Sequence, residues 1–462
     1  MISLLRLRSH WIFPLLVLGL FFYHKIPFFS LPYFLDEMGV YIQAVYFMAT
    51  NSIQLSPDAV PVEFSRGHPL LFTWLFAWPF RWFSYSCVSV HMLSWCITAM
   101  LGVVVYWFTL KRVDKGPALL AMVAFLIQPL VLAQSTLVLP EMLLSFWIFT
   151  SFWALLERQF VLYILLASAA LLTKESGLII VAAAVGWTVF SAKPVYAKAK
   201  QLGIVLLPLM VFTGWFCWQK KLLGWFFFPL HVDLMQWSVN SAFSQMQQGF
   251  DFLFLSQGRR IITQAGMLLV IVGMLSGFQK RMVALFSPFF WILLATLSFA
   301  SVNFFMHRYF LLLFPFWAVG LGIAFYPLRK YIFIFPVLAL LLGINARGHL
   351  NSGRFSYDLD YSFYDHLQLQ RQAYDVIRAN YQPGDTLFTS FSLWAAFHYD
   401  INGFSDFHPI PVTMRWDDPF TLVAYVTADE QKNVIKDYSG LYLIWRKEIG
   451  EMKAEVYRRN SP

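Results

Sequence analysis

Long apolar runs separated by short basic clusters make up the first three quarters of the chain. They occupy residues 11–23, 88–110, 118–134, 142–156, 160–172, 177–190, 204–218, 261–278, 283–300, 309–326 and 331–344. Runs of this kind predict helices in hydrocarbon. Basic residues mark alternate ends: Arg6 and Arg8, then Lys111, Arg112 and Lys115, then Arg158, then Lys193, Lys198 and Lys200, then Lys280 and Arg281, then Arg329 and Lys330. Because basic loops stay cytoplasmic, the alternation predicts about eleven spans, with the N-terminus inside and everything after residue 345 outside. Residues 160–190 are expected to form two short spans, since a single one would invert every later cluster.

The polar stretches predict the rest. Residues 31–86 form a large first outer loop. Val40, Ile42, Val45 and Phe47 predict a helix along the membrane surface, and the tryptophan-rich residues 69–83 an interfacial or re-entrant piece. A second outer loop carries GWFFFPLHVDLMQW. After residue 345 the pattern is that of a soluble domain. DHLQLQRQAYDVIRANYQPGDTLFTSF predicts a helix stopped at Pro383 and Gly384 and then a strand. TLVAYVTADEQKNVIKDYSGLYLIW repeats strand, helix, strand. The expected architecture is therefore a polytopic α-helical membrane domain, residues 1–345, followed by an extracytoplasmic α/β domain, residues 346–462.

Composition narrows the classes. The chain is 59% hydrophobic and only 13% charged, against about 25% charged for soluble domains. Its net charge of +9 lies in loop clusters rather than in a basic stripe, so no nucleic-acid partner is expected. Cys87, Cys96 and Cys217 form no CxxC pair, which argues against a disulfide framework or a zinc site. The basic, apolar N-terminus lacks a small-residue cleavage site and reads as a retained span. YDLDYSFYD, with a DxD match at Asp358 and Asp360, reads as a solvated acidic linker.

Titratable residues converge on the outer side. Adjacent Asp36 and Glu37 in the first loop can act as general base and supporting acceptor, or can stabilise a helix N-terminus. Glu63 lies in the same loop. Arg66 and His68, in SRGHPLL, can bind phosphate oxygens, or contact headgroups and fill a buried hydrogen-bonded position. Glu141 follows Pro140 at the mouth of the fourth span and needs a partner there, or serves as a capping acid. Lys174, after a span of about 13 residues and roughly 20 Å, should lie below the outer surface. There it can meet a lipid phosphate, or pair internally with Glu175 or Glu141. His307, Arg308 and Tyr309 open the tenth span, where they can clamp a phosphate or anchor the helix at the interface. The topology puts all these groups at one depth, cations for a phosphate beside carboxylates for a base.

An acidic pair soon after the first span, GHPLLFTWLFAWPFRWF, LPEMLLSFWIFTSFWALL, LLTKESGLI and HRYFLLLFPF, in that order, resemble the GT-C glycosyltransferases. The likeness is to bacterial homologues of protein O-mannosyltransferases and of the aminoarabinose transferases that modify lipid A. It covers roughly residues 1–345. Many relatives have a second proline where Leu70 follows Pro69.

The resemblance implies transfer of a sugar from a polyprenyl phosphate carrier, on the outer face of the inner membrane, to a lipid, glycan or protein hydroxyl. Asp36 would be the base with Glu37 beside it. Lys174 and Arg308, with His307 and Tyr309, would hold the carrier phosphate, while Glu63, Arg66, His68 and Glu141 would line the substrate pocket. No cofactor is expected, and a divalent metal is dispensable if two cations hold a monophosphate. A transporter or lipid flippase predicts charges spread through the bundle, yet the eighth, ninth and eleventh runs are nearly free of them. A polysaccharide polymerase or ligase predicts several arginines in the outer loops, but Arg66 stands alone between Leu35 and Leu70.

Overall fold

The computed structural model describes residues 11–233, 238–275, 279–302, 306–331, 333–404, 410–427, 435, 437 and 439–459. Every apolar run forms a helix or a pair of helices. In chain order the longer ones are α1 (Ile12–Lys25), α2 (Ile42–Thr50), α3 (Leu71–Trp82), α4 (Cys87–Arg112), α5 (Lys115–Leu126), α6 (Pro140–Leu156), α7 (Phe160–Thr173) and α8 (Leu178–Val189). Then come α9 (Val195–Leu223), α10 (Val239–Phe254), α11 (Arg259–Gly273), α12 (Gln279–Val302), α13 (Phe314–Ala324) and α14 (Ile334–Arg347).

Among the described residues, three stretches, Cys87–Arg112, Val195–Leu223 and His307–Ala324, are long and apolar enough to cross a membrane. Most of the other apolar helices are shorter. Aliphatic side chains on their outer faces, such as Leu15 and Leu16 on α1 and Leu268 and Ile271 on α11, are exposed, while Arg259, Glu141 and Lys174 lie inside. That inversion of the soluble pattern is what a lipid environment imposes. Arg112 on α4 pairs with Glu157 after α6 at 2.8 Å, so the ends expected on one membrane face do meet.

The structure redraws some boundaries. Residues 118–134 do not form one span: Pro129 starts a separate short helix, Pro129–Gln134. Residues 204–218 are the second part of α9, so Lys198 and Lys200 lie on a helix rather than in a loop. The second outer loop contains α10, which nothing in the sequence reading anticipated. Residues 160–190 do split into two helices. The chain folds back between them, and Gly177 lies so close to the Ala170 backbone that a Cβ would come within 2.6 Å of its carbonyl.

The C-terminal region is a mixed five-stranded sheet with helices α15 (Ser362–Asn380) and α16 (Phe391–His398). Its strands are β1 (Leu387–Thr389), β2 (Val412–Thr413), β3 (Leu422–Tyr425), β4 (Leu441–Ile449) and β5 (Met452–Arg459), in the order β2-β1-β3-β5-β4. β1 runs parallel to β2 and β3, and β5 antiparallel to β3 and β4. The helix expected between β3 and β4 falls largely outside the described residues.

This region is docked on the membrane part. Gln43 donates to the Ile401 carbonyl at 2.8 Å, the Tyr33 amide to Asn402 at 3.2 Å, and Gln257 to Leu359 at 3.0 Å. Gly39 sits where any Cβ would strike the Phe391 ring. One apolar core runs through both parts, so the tail packs directly over the first loop.

Candidate active site

The first loop enters the site through a sharp backbone. Leu35 has φ 37°, a left-handed conformation that a bulky residue adopts only when its surroundings enforce it. Asp36 follows, and Glu37–Tyr41 form a π-helical turn before α2. Turns of this kind occur frequently at functional sites.

Arg308 is the centre of the arrangement. It lies in a 3-10 stretch, His307–Leu313, that leads into α13. Its Nη2 donates to Asp36 Oδ2 at 2.6 Å and its Nη1 to Asp358 Oδ2 at 2.9 Å. Its Nε lies 3.6 Å from Glu141 Oε1, without a hydrogen bond. Glu141, at the start of α6, also accepts from Lys174 Nζ at 2.7 Å. Lys174 in turn sits 4.6 Å over the Tyr309 ring. Glu141, Lys174, Arg308 and Asp358 are all buried, whereas the Asp36 side chain is 44% exposed. Asp36 is thus the member of the cluster that is open to solvent.

Two cavities flank the cluster. One is almost wholly apolar, lined by Leu144, Ile179, Phe299, Ala300 and Leu312, and ends at Glu141, Tyr309, Ser176 and Thr296. The other is more polar, bounded by Tyr41, Ser65, His68, Thr73, Pro140 and Thr173. At its edge His68 Nδ1 lies 2.7 Å from Glu175 Oε2, and the His231 ring lies 4.9 Å from that of His68. Burial and the neighbouring His68 push the His231 pKa down to about 4.

Asp36, Glu141, Lys174, Arg308 and Tyr309 therefore come together as the sequence predicts. Lys174 pairs with Glu141, while Glu175 belongs to His68. His307 packs its ring 4.8 Å from Phe252, outside the ion cluster proper. Glu63 and Arg66 are exposed on the short helix Val62–Ser65 and at its C-cap, away from Arg308.

Glu37 has a different task from the one its sequence position implies. It is fully buried, with Oε2 accepting from the Phe34 amide at 2.9 Å. Oε1 takes the Val138 amide at 2.8 Å and lies 2.9 Å from His91 Nε2. Oε1 ties the loop to α4 and to the chain before α6, and Oε2 closes the loop on its own Phe34, so Glu37 sets the position of Asp36. The acidic linker reading of Asp358 and Asp360 is also corrected. Both are 4% exposed; Asp358 binds Arg308 and Asp360 accepts from the Ser362 amide. Tyr41, which lines the polar cavity, was not singled out in the sequence either; its place on the π-helical turn was not visible there.

No protein-family model matches the chain, and no curated protein does. Solved structures do. The crystal structure of ArnT from Cupriavidus metallidurans in the apo state is similar with a TM-score of 0.60 and 12% identity, over 97% of this chain and 98% of that one. The same protein bound to undecaprenyl phosphate gives 0.55 and 12%, over 96% and 97%. Over nearly its whole length, the chain has the fold of ArnT.

Proposed function

We propose that the chain is a multi-pass membrane glycosyltransferase that moves a sugar from a polyprenyl phosphate carrier to an acceptor hydroxyl. The observation that carries this reading is the buried pair of cations, Arg308 and Lys174, which share Glu141 at the end of an apolar cavity, beside the exposed carboxylate of Asp36. With the isoprenoid on the apolar side and the sugar on the Asp36 side, the phosphate that joins them would meet Arg308 and Lys174. The neighbour's undecaprenyl phosphate complex, in the same fold, supports the same donor class.

The chemistry follows from the charges. Asp36 accepts the proton of the acceptor hydroxyl, whose oxygen attacks the anomeric carbon. The bond from that carbon to the phosphate oxygen breaks, and its electron pair leaves with the polyprenyl phosphate. Attack opposite the leaving group inverts the anomeric configuration. Arg308 and Lys174 stabilise the leaving oxygen where its charge develops, the largest contribution that such a site makes. Tyr309 keeps Lys174 in place, and Glu141 holds both cations at one point. Glu63, Arg66 and His68 lie on the acceptor side. The basic-cluster parity supports an extracytoplasmic site in the inner membrane, with the C-terminal domain on the same face.

The test is reconstituted protein given a panel of labelled polyprenyl phosphate sugars and hydroxyl acceptors. Release of free carrier phosphate together with an inverted glycoside is expected. Retained configuration, or no release with any donor, would refute the proposal.

A further inference from the structure

Arg308 has more negative partners than positive charge can balance. Asp36, Glu141 and Asp358 surround it, and Lys174 is the second cation, so three carboxylates face two cations. A donor phosphodiester adds another negative charge to this buried group. A phosphate that approaches the Nη1 and Nη2 edge also competes with Asp358 and Asp36, which each accept from one of these nitrogens. Departure of one carboxylate as the phosphate seats exchanges one monoanion for another and keeps the charge of the cluster constant.

The three carboxylates are not equally free to go. Glu141 begins α6 and is fixed by Lys174. Asp36 precedes the π-helical turn, which Glu37 pins through Phe34, His91 and Val138. Asp358 lies on irregular chain between α14 and α15, just after Tyr357, whose φ of 55° is left-handed. Its segment meets the membrane part through two hydrogen bonds beside the carboxylate, Gln134 to the Asp358 carbonyl at 3.2 Å and Gln257 to Leu359 at 3.0 Å, and is anchored further on by Tyr361, 2.7 Å from His24 and packed on Phe28.

We propose that Asp358 holds the donor-phosphate seat on Arg308, and that donor binding displaces it together with the strap that leads into the C-terminal domain. The inference rests on Arg308 as the donor clamp. It makes the C-terminal domain a regulator of donor loading, because the strap is its only described approach to Arg308. The competing anion lowers the fraction of protein able to accept the donor, and apparent affinity falls in the same proportion.

The experiment measures binding of a polyprenyl monophosphate to full-length wild type, Asp358→Asn and Asp36→Asn, with amide hydrogen exchange over residues 356–362. The expected result is that Asp358→Asn binds about tenfold more tightly than wild type, and more tightly than Asp36→Asn, which removes the same charge from the cluster. In wild type, the carrier should also speed exchange across the strap. Equal or weaker binding by Asp358→Asn, equal gains in both variants, or a strap whose exchange slows or stays constant would overturn the inference. Failure of the carrier to bind any of the three proteins would instead remove the donor assignment beneath it.

Discussion

Two buried arginines differ in the kind of partner that satisfies them. Arg259 on α11 is 1% exposed and Arg308 is 7% exposed. The described partners of Arg259 are neutral oxygens: the Leu253 carbonyl at 2.8 Å, Gln128 and Gln257 at 3.0 Å each, and the Phe252 carbonyl. Phe252 and Phe314 lie against its guanidinium, at 5.3 and 4.8 Å. Nε, Nη1 and Nη2 are all engaged, and the side chain ties the end of α10 to the start of α11. Arg308 instead faces three carboxylates and keeps Nε without a hydrogen bond, and its partner Glu141 lines an apolar cavity. Burial is common to both, so the kind of partner decides: fixed dipoles satisfy a cation permanently, whereas exchangeable anions leave it available to a ligand.

The largest separation between the two should appear on removing each side chain. Arg308→Ala is expected to lower turnover by about a thousandfold through loss of the phosphate clamp, and Arg308→Lys should rescue little because the planar fork is lost. Arg259→Ala should cost about 3 kcal/mol of stability from orphaned carbonyls, while folded protein keeps its donor affinity. Thermal unfolding and carrier binding on the same samples would distinguish them, and a large affinity loss in Arg259→Ala would erase the contrast.

Lys174→Ala should weaken carrier binding by roughly tenfold, the loss of one charge-assisted contact. An unchanged affinity would leave Lys174 as only the counter-ion of Glu141. A smaller effect, about threefold on acceptor KM, is expected for His68→Ala, since one hydrogen bond is at stake. Steady-state kinetics with varied acceptor would show it, and an effect on donor affinity instead would move His68 to the other side of the site.

A last effect, on stability rather than activity, concerns the joint between the two regions. His366 on α15 is fully buried, stacked 4.8 Å from Phe355 and edge-on to Phe34 at 5.4 Å, with neither ring nitrogen hydrogen-bonded. Burial pushes its pKa from 6.5 down to about 3. The unfolded chain therefore takes up a proton below about pH 6.5 that the folded one refuses, and stability is full above that value and declines as pH falls toward 3. His366→Phe should flatten this acid limb, as read by melting temperature against pH. An unchanged slope would place the sensitivity elsewhere.

Much of the site was legible because its residues stand in short local strings. Asp36, Glu141, Lys174 and Arg308 each break an apolar run at the same membrane face, and alternation of basic ends was enough to align them. Asp358 was not legible: it lies in a stretch rich in aspartate and tyrosine, and only the docked tail reveals that it meets an arginine 50 residues earlier. Glu37 was misread for a related reason, since His91 and the Val138 amide come from distant segments. The amphipathic α10 escaped notice because its apolar stripe is interrupted by serine and glutamine, and its packing on α12 depends on the tertiary fold.

The central claim is that Asp36 takes the proton while Arg308 and Lys174 hold the phosphate, so that binding and chemistry are separable. Single-turnover release of carrier from a polyprenyl phosphate sugar, measured in wild type and Asp36→Asn beside carrier affinity, tests it directly. Asp36→Asn should bind the carrier at least as tightly as wild type and release it at least a hundredfold more slowly, the range for loss of a general base. Release by Asp36→Asn at the wild-type rate would contradict the account.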